Sequence, residues 1–251
     1  MIEYMKKYLS LTAALLLTAA CNPFKTGVYQ DNLAMPLAEG SPDSLLFSVS
    51  LEFVRADRQP EAATLINNVI IAQAFDLEDG PSATLEETAV RYRENLIDEY
   101  LNENEAQEME NMPLTWEDHI TGQFTGTYKN WRNYLFTYFS DRGGAHGLQT
   151  VSNLVFDKKT GAVVTEADLF TDGYASAVAT LLQEAAKSSF AEEDEELLQL
   201  VDFPAIVPNG NFSVGPDGVE WTFQPYEAGP YALGILTATA SWEQLKPYLR
   251  Q

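Results

Sequence analysis

The stretch YFSDRGGAHGLQTVSNLVF, residues 138–156, contains two runs typical of β-strands on either side of a glycine-rich centre. Three glycines fall within five residues there, at Gly143, Gly144 and Gly147, and His146 stands among them. Glycine adopts positive φ at low cost and lets a backbone or a ligand approach closely. We therefore expect a sharp reversal of the chain at this point and not a relaxed surface loop.

Two interpretations of His146 are open. In the functional interpretation, the rigid turn holds the imidazole in place so that it binds a ligand or takes part in catalysis. In the structural interpretation, the imidazole bonds a nearby carbonyl and only shapes the turn. The pKa of histidine permits many roles and requires none of them.

The charge of the chain is its most unusual bulk property. Its 251 residues are 45% hydrophobic and 12% aromatic, which is typical of a globular protein, and their number suits one large domain or two small ones. The chain carries 37 acidic and 15 basic residues, a net charge of −22. Such a chain repels nucleic acid and anionic membrane surfaces and attracts basic proteins, although solubility is the plainer explanation of acidity alone.

The N-terminus has the features of a secretory signal. Lys6 and Lys7 precede an apolar run over residues 9–20, which is too short for a comfortable membrane span. The run ends at Cys21, the only cysteine of the chain. Residues 18–20 followed by Cys21 resemble the lipobox of bacterial lipoproteins, although threonine stands at position 18 where leucine is usual. The resemblance implies cleavage before Cys21 and lipid attachment to it; the alternative is simple secretion with an unpaired thiol.

The pattern divides the chain into four parts. We expect a signal peptide over residues 1–20, a lipid-anchored tether over 21–43, a strand–helix–helix module over 44–113 and a C-terminal domain over 114–251. The tether is predicted because Gly, Pro, Asn and Asp interrupt any periodic pattern there. The predicted class is α+β, with antiparallel sheets, amphipathic helices packed on them and two closely associated subdomains.

Hydrophobic periodicity locates the secondary structure. Helical spacing predicts three longer helices, at 61–75, 85–103 and 174–190, the second of which follows a capping box formed by Thr84 and Glu87. Alternation and turn residues predict strands at 45–54, 119–128, 132–140, 148–156, 211–214, 219–223 and 237–240. The strands from 119 to 156 read as an antiparallel meander.

Four short motifs resemble a known family. GGAHG (143–147), NLVFDKKTG (153–161), FQPYE (223–227) and GPY (229–231) occur in this order. They resemble a bacterial envelope domain of unknown function found in the extracellular part of the lysozyme-sensing anti-sigma factor RsiV and in the N-terminal region of the peptidoglycan deacetylase PdaC. The resemblance covers about Trp116 to Leu249. It implies an α+β domain pair with a non-enzymatic role at the cell envelope, which in the RsiV branch is lysozyme recognition.

This resemblance selects the candidate ligand-binding residues. They are Gly143, Gly144, His146, Gln224, Tyr226, Glu227 and Tyr231. The two tyrosines suit a protein hot spot or sugar stacking, and packing into a core is their plainer role. The expected partners are a lipid bilayer through acylated Cys21 and a ligand that is lysozyme, another basic envelope protein or peptidoglycan, with no nucleic acid.

Two other functions stay open. The first is an envelope hydrolase that uses His146 with nearby carboxylates, or in which His119 and His146 share a metal with carboxylates such as Asp141. The second is a structural or assembly lipoprotein. Because the sequence has no HExxH, GxSxG, P-loop or metal-spaced Cys/His pattern, we expect no catalytic residue, metal or cofactor. The expected location is the cell envelope, on a bacterial membrane and facing the periplasm or exterior.

Overall fold

The α+β class is confirmed in the structure, a computed structural model that describes residues 25–57, 59–107, 115–193 and 195–250. The predicted signal peptide and Cys21 lie outside the described residues. Within the described ranges, no helix is both long and apolar enough to cross a bilayer.

The strands form two sheets. They are β1 (Thr26–Pro36), β2 (Ser44–Val54), β3 (Trp116–Tyr128), β4 (Trp131–Asp141), β5 (Leu148–Asp157), β6 (Phe212–Val214), β7 (Gly218–Phe223) and β8 (Leu236–Ser241). The helices are α1 (Pro60–Ala74), α2 (Leu85–Gln107), α3 (Glu166–Leu169), α4 (Tyr174–Glu193), α5 (Glu195–Leu198) and α6 (Trp242–Leu245). The first sheet has the order β1-β2-β3-β4-β5, and the second has the order β6-β7-β8.

The predicted tether is wrong over most of its described part, because residues 26–36 are β1. This strand pairs antiparallel with β2 along its whole length, from Thr26 opposite Val54 to Pro36 opposite Ser44. One face of β1 packs against the main hydrophobic core through three side chains, Tyr29, Leu33 and Met35. That burial and a continuous ladder of hydrogen bonds outweigh the turn-forming residues on which the prediction was based.

The first sheet extends across the predicted boundary between residues 113 and 114. Strands β2 and β3 pair in parallel, from Leu45 opposite Trp116 to Leu51 opposite Gly122. A parallel pair needs a long crossover, and α1 and α2 lie in the connection between these two strands. The strand–helix–helix module and the C-terminal domain therefore share one sheet.

The predicted helix starts are confirmed. Helix α1 has Pro60 in its first turn, where the missing N–H costs nothing. Before α2, the Glu87 N–H donates to Thr84 Oγ1 at 3.2 Å and the Thr84 N–H donates to Glu87 Oε2 at 3.0 Å, which completes the capping box. Both helices pack against the first sheet, and the buried side chains of this core include Phe47, Ile66, Ile70, Tyr100, Trp116, Ile120 and Tyr134.

The meander β3-β4-β5 is also confirmed, and its turns are tight. Lys129 and Asn130 connect β3 to β4, with Lys129 at a φ of 51°. After β5, Gly161 has a φ of 78°, and a Cβ there would lie 2.5 Å from the carbonyl oxygen of Ala62. The turn after β5 therefore packs directly on α1.

Strand β5 separates two hydrophobic cores. Phe156 is buried in the first core, whereas its neighbour Val155 is buried in a second core with α4, α6 and the three-stranded sheet. The two sheets are also tied by a buried amide. Asn133 Nδ2 donates to the Val214 carbonyl at 2.7 Å, and the Val214 N–H donates to Asn133 Oδ1 at 3.0 Å.

Candidate functional site

The glycine-rich turn connects β4 to β5, and two of its glycines are required by the geometry. Gly143 has a φ of 77°, and its N–H donates to Asp141 Oδ1 at 3.1 Å. A Cβ on Gly147 would lie 2.5 Å from the ring of Phe139. Gly144 has open space around its Cβ position, so that its small size is not a packing requirement.

His146 stands at the centre of an aromatic site, which we define as His146, Tyr226 and Tyr231. Its ring stacks on Tyr231, with 3.9 Å between the ring centroids and 22° between the planes. Its Nδ1 lies 3.0 Å from the Gly147 carbonyl oxygen, which can only accept a hydrogen bond, so that Nδ1 carries the hydrogen. In the neutral ring, Nε2 therefore accepts from the Tyr226 hydroxyl at 3.1 Å.

The geometry of His146 has features of both interpretations, the structural and the functional. The bond to a nearby carbonyl is the one that the structural interpretation expects. The same ring is exposed and contacts two tyrosines that are 80 and 85 positions further along the chain. The Tyr231 hydroxyl donates to the Gly147 carbonyl at 2.7 Å, which fixes the loop that carries both tyrosines against the glycine turn.

Tyr226 is the most unusual residue of the aromatic site. Its φ is 72°, in the left-handed region that bulky side chains avoid, and 61% of its surface is exposed. An exposed tyrosine gains little from burial that would offset this backbone cost. Residues held in such conformations gather at ligand and active sites.

Gln224 and Glu227, also candidate ligand-binding residues, hold the tyrosine loop in place. Gln224 Oε1 accepts from the Val151 N–H at 2.9 Å, and Gln224 Nε2 donates to the Val151 carbonyl. Glu227 accepts from the Gln224 N–H at 2.7 Å and from Asn209 Nδ2 at 2.7 Å. The polar groups of both side chains thus form hydrogen bonds within the protein. Their role is to hold the loop that carries Tyr226 and Tyr231.

The residues of the hydrolase alternative are used differently in the structure. Among the described hydrogen bonds, none joins His146 to a carboxylate, and Asp141 caps the glycine turn. The Nδ1 of His119 lies 2.8 Å from Ser48 Oγ, and its ring stacks on Phe139. Over the described part of the chain, no group of three His, Cys, Asp or Glu side chains is placed to hold a metal ion.

A buried acid that is absent from the sequence-based predictions lies on β3 of the first sheet. Asp118 is only 1% exposed, and it accepts from the Tyr138 hydroxyl at 2.8 Å. Two further groups donate to Asp118 Oδ2 over longer distances: the Tyr92 hydroxyl at 3.4 Å and Arg142 Nη2 at 3.5 Å. Desolvation raises the pKa of the Asp118 carboxyl, and the bonds from Tyr138 and Arg142 oppose this shift.

A cleft of about 380 Å³ lies beside this acid, between the end of α1 and strands β3 to β5. Its lining combines aromatic rings with hydroxyl groups and includes Phe75, Tyr92, Phe136, Tyr138, Thr150 and Ser152. The alternation of buried and exposed residues along β3 could have located Asp118 from the sequence. Extending the predicted face of Ile120 and Gly122 back by two residues places Asp118 on the buried side of β3.

Comparison with known proteins finds a family without an assigned function. Residues 167–243 match the family described as "Protein of unknown function (DUF3298)". That segment includes Gln224, Tyr226, Glu227 and Tyr231. No curated protein is recognisably similar in sequence.

Two solved structures share the fold. One is a DUF3298 family member from Bacteroides fragilis, with 20% identity, a TM-score of 0.80 and coverage of 92% of this chain and 95% of that one. The other is a DUF3298 family protein from Pseudomonas aeruginosa, with 13% identity, a TM-score of 0.63 and coverage of 91% and 95%. The chain therefore contains a segment similar to DUF3298 and has the overall fold of solved members of that family.

Proposed function

We propose that this protein is a binding module of the bacterial cell envelope, anchored by lipid on Cys21, and that its ligand contacts the aromatic site. The observation that carries the proposal is Tyr226, a strained and exposed tyrosine whose hydroxyl meets His146. Tyrosines that are fixed in place and open to solvent are typical hot spots of protein interfaces. A role in folding alone would not favour an aromatic side chain at a left-handed position.

A basic envelope protein is the ligand that fits best, and lysozyme is the first to test. The net charge of −22 favours encounter with a strongly basic partner. The resemblance of the GGAHG and FQPYE motifs to the lysozyme-sensing domain supports the same choice. Peptidoglycan is the competing ligand, since sugars stack on exposed tyrosine rings.

Binding is favoured over hydrolysis by the partners of His146. A hydrolytic site needs a general base or nucleophile that is oriented by a second polar group. His146 is bonded to a carbonyl and to a phenol, and the carboxylates of Asp141 and Glu227 bond backbone and amide N–H groups. This arrangement holds an aromatic surface in place, and no carboxylate of the described residues bonds the imidazole.

The test is binding of the purified protein to several types of lysozyme over a series of salt concentrations. We expect saturable binding that persists at physiological ionic strength. We also expect Tyr226→Ala to weaken it by at least about 30-fold, which corresponds to a hot spot of about 2 kcal/mol. Tyr128→Ala is the matched control, because Tyr128 is a partly exposed aromatic residue at the opposite end of the β3–β4 pair.

Three results would count against lysozyme as the ligand. Binding that disappears with modest salt would be general attraction between opposite charges. Equal losses of lysozyme binding in the Tyr226→Ala and Tyr128→Ala variants would mean that lysozyme does not contact the aromatic site. Co-sedimentation with peptidoglycan that depends on Tyr226, without lysozyme binding, would make the glycan the ligand.

A further inference from the structure

Strand β1 is an edge strand with a free row of backbone groups. The Arg55 N–H donates to the Lys25 carbonyl at 2.7 Å, and the Leu37 N–H donates to the Asp43 carbonyl at 2.9 Å. Backbone groups alternate in direction along an antiparallel strand. The odd-numbered residues from Lys25 to Leu37 therefore point their N–H and C=O groups at β2, and the even-numbered residues point theirs away.

Among the described residues, no strand pairs with this outer side. The outward N–H groups belong to Thr26, Val28, Gln30, Asn32 and Ala34. Pro36 falls in the same outward series, at the end of the strand, where the lack of an N–H breaks no bond to β2. The free edge is thus about nine residues long.

Within the described residues, β1 has few of the usual protections of an edge strand, and the one it has is the inward-pointing charge of Asp31. Natural edges are blocked by lysines, prolines, bulges or a covering element. The sequence of residues 26–35 contains no lysine, arginine or proline, and the pairing with β2 runs without a bulge. The opposite edge of the sheet, β5, differs, because side-chain amides of Gln224 and Asn211 bond the backbone of Val151 there.

The β1 edge is also electrically neutral on a strongly acidic protein. The only charged residue in 26–36 is Asp31, and its carboxylate is paired with Arg93 at 2.5 Å. A net charge of −22 makes two copies of this chain repel each other over most of their surfaces. An uncharged edge lets two copies approach with less repulsion than an acidic surface would.

We propose that β1 pairs with β1 of a second copy, antiparallel about a two-fold axis, to form a continuous ten-stranded sheet. Gln30 lies opposite Gln30 of the second copy. Val28 then lies opposite Asn32, and Thr26 lies opposite Ala34. A register centred one residue later would place two Asp31 carboxylates face to face, which like-charge repulsion disfavours. Pairing of the outward residues forms on the order of ten backbone hydrogen bonds.

The first experiment measures the mass of the purified protein by sedimentation over a wide range of concentration and salt. We expect a monomer–dimer equilibrium that added salt strengthens, because screening reduces the repulsion between two acidic bodies. Lysozyme binding has the opposite salt dependence, so that the two proposals succeed or fail separately. A protein that stays monomeric throughout overturns self-pairing, even if the edge accepts the strand of another protein.

Variants then test the register. Gln30→Lys places like charges opposite each other, and Gln30→Pro removes an outward N–H without removing a backbone bond to β2. Both variants also lose the exposed side-chain bond from Gln30 Nε2 to Ser50 Oγ. Each should weaken the dimer by about tenfold or more. Thr121→Lys is the control, because it adds the same charge to an exposed residue of the central strand β3. A dimer that Gln30→Lys leaves unchanged would contradict the assignment, and Gln30→Lys keeps the test valid if the proline variant does not fold.

Cross-linking provides an independent readout of the same register. In a Cys21→Ser background, Gln30→Cys should form a disulfide-linked dimer, because residues opposite each other in a hydrogen-bonded antiparallel pair have Cα atoms about 5.5 Å apart. Asn32→Cys should not, since the two copies of residue 32 would be about 13 Å apart. Equal cross-linking through both positions would overturn the proposed register.

Discussion

The side-chain amide of Gln224 occupies the place of a neighbouring strand beside Val151. Its Oε1 accepts from the Val151 N–H at 2.9 Å and its Nε2 donates to the Val151 carbonyl. This residue thereby covers part of the edge of β5 and fixes the start of the loop that carries Tyr226 and Tyr231. The side chain of Gln224 thus stabilises both the fold and the aromatic site.

Replacing Gln224 should therefore affect both properties. Gln224→Ala leaves the Val151 N–H without its partner, and we expect a loss of about 1–2 kcal/mol in the free energy of unfolding, measured with a chemical denaturant. Weaker lysozyme binding should accompany it, since the tyrosine loop loses its attachment. Gln149→Ala, an exposed position on the same strand, should stay within about 0.5 kcal/mol of the wild type.

Tyr226→Gly should separate stability from binding. Relief of the left-handed conformation returns about 1–2 kcal/mol, and the greater freedom of glycine in the unfolded chain costs about 0.5–1 kcal/mol. The free energy of unfolding should thus be unchanged or higher by up to about 1.5 kcal/mol, while lysozyme binding is lost. Tyr226→Phe keeps the ring and should retain most of the binding. A large destabilisation by Tyr226→Gly would show that this tyrosine serves the fold.

Alanine substitutions at two glycines can measure how much the contact between α1 and the turn after β5 contributes to stability. Gly161 and Gly173 both have positive φ, at 78° and 84°, but only Gly161 has a neighbouring backbone within 4 Å of its Cβ position. Gly173→Ala should cost about 1–2 kcal/mol, the backbone term alone. Gly161→Ala should cost clearly more in the same thermal or denaturant assay, because its methyl group would collide with Ala62. Equal costs would mean that α1 can move away without penalty.

Asp118 should make the stability depend on pH. Its pKa is raised by desolvation above the unfolded-state value of about 3.9, so that the folded protein holds the proton more tightly than the unfolded chain. Stability contributed by this group is complete below that value and is lost as pH rises through the folded-state pKa. Asp118→Asn should therefore gain stability relative to the wild type as pH rises from about 4, and the gain should level off above the folded-state pKa.

Unfolding curves at several pH values would test this expectation. Asp217→Asn, in the exposed β6–β7 turn, reports the effect of removing one negative charge from an acidic protein. A stability difference that shifts in favour of the wild type, relative to Asp118→Asn, as pH rises from about 4 would contradict the expectation. It would mean that the bonds from Tyr138 and Arg142 to the carboxylate outweigh its desolvation.

Local patterns were sufficient for the elements whose signals lie within a few residues. The capping box at Thr84, the turn at Lys129 and the meander of β3 to β5 each follow from residues that interact with near neighbours in the chain. The loop motif around Tyr226 and the turn at His146 were both selected from sequence. Their contact depends on the packing of the second sheet on β5, which no local pattern encodes.

Strand β1 and Asp118 escaped prediction for different physical reasons. An edge strand buries only part of one face, and Gly27, Asp31 and Pro36 made its sequence look irregular. The parallel pairing of β2 with β3 depends on a crossover of more than sixty residues, which periodicity cannot reveal. Asp118 occupies a core-facing position that hydrophobic patterns assign to apolar side chains, and only its tertiary partners make that placement possible.

The early start of β1 determines how the domain would face the membrane. If Cys21 carries lipid, only four residues separate it from Thr26, and these span at most about 14 Å when extended. The ladder places Thr26 opposite Val54, at the end of the sheet that holds the β3–β4 turn. The aromatic site lies at the other end, roughly 35 Å away along the strands. In a single copy, this short attachment would therefore present His146 and its tyrosines on the side away from the bilayer. In the proposed β1–β1 pair the two attachment points lie at opposite ends of the strands, so that the pair would instead lie with its strands along the bilayer.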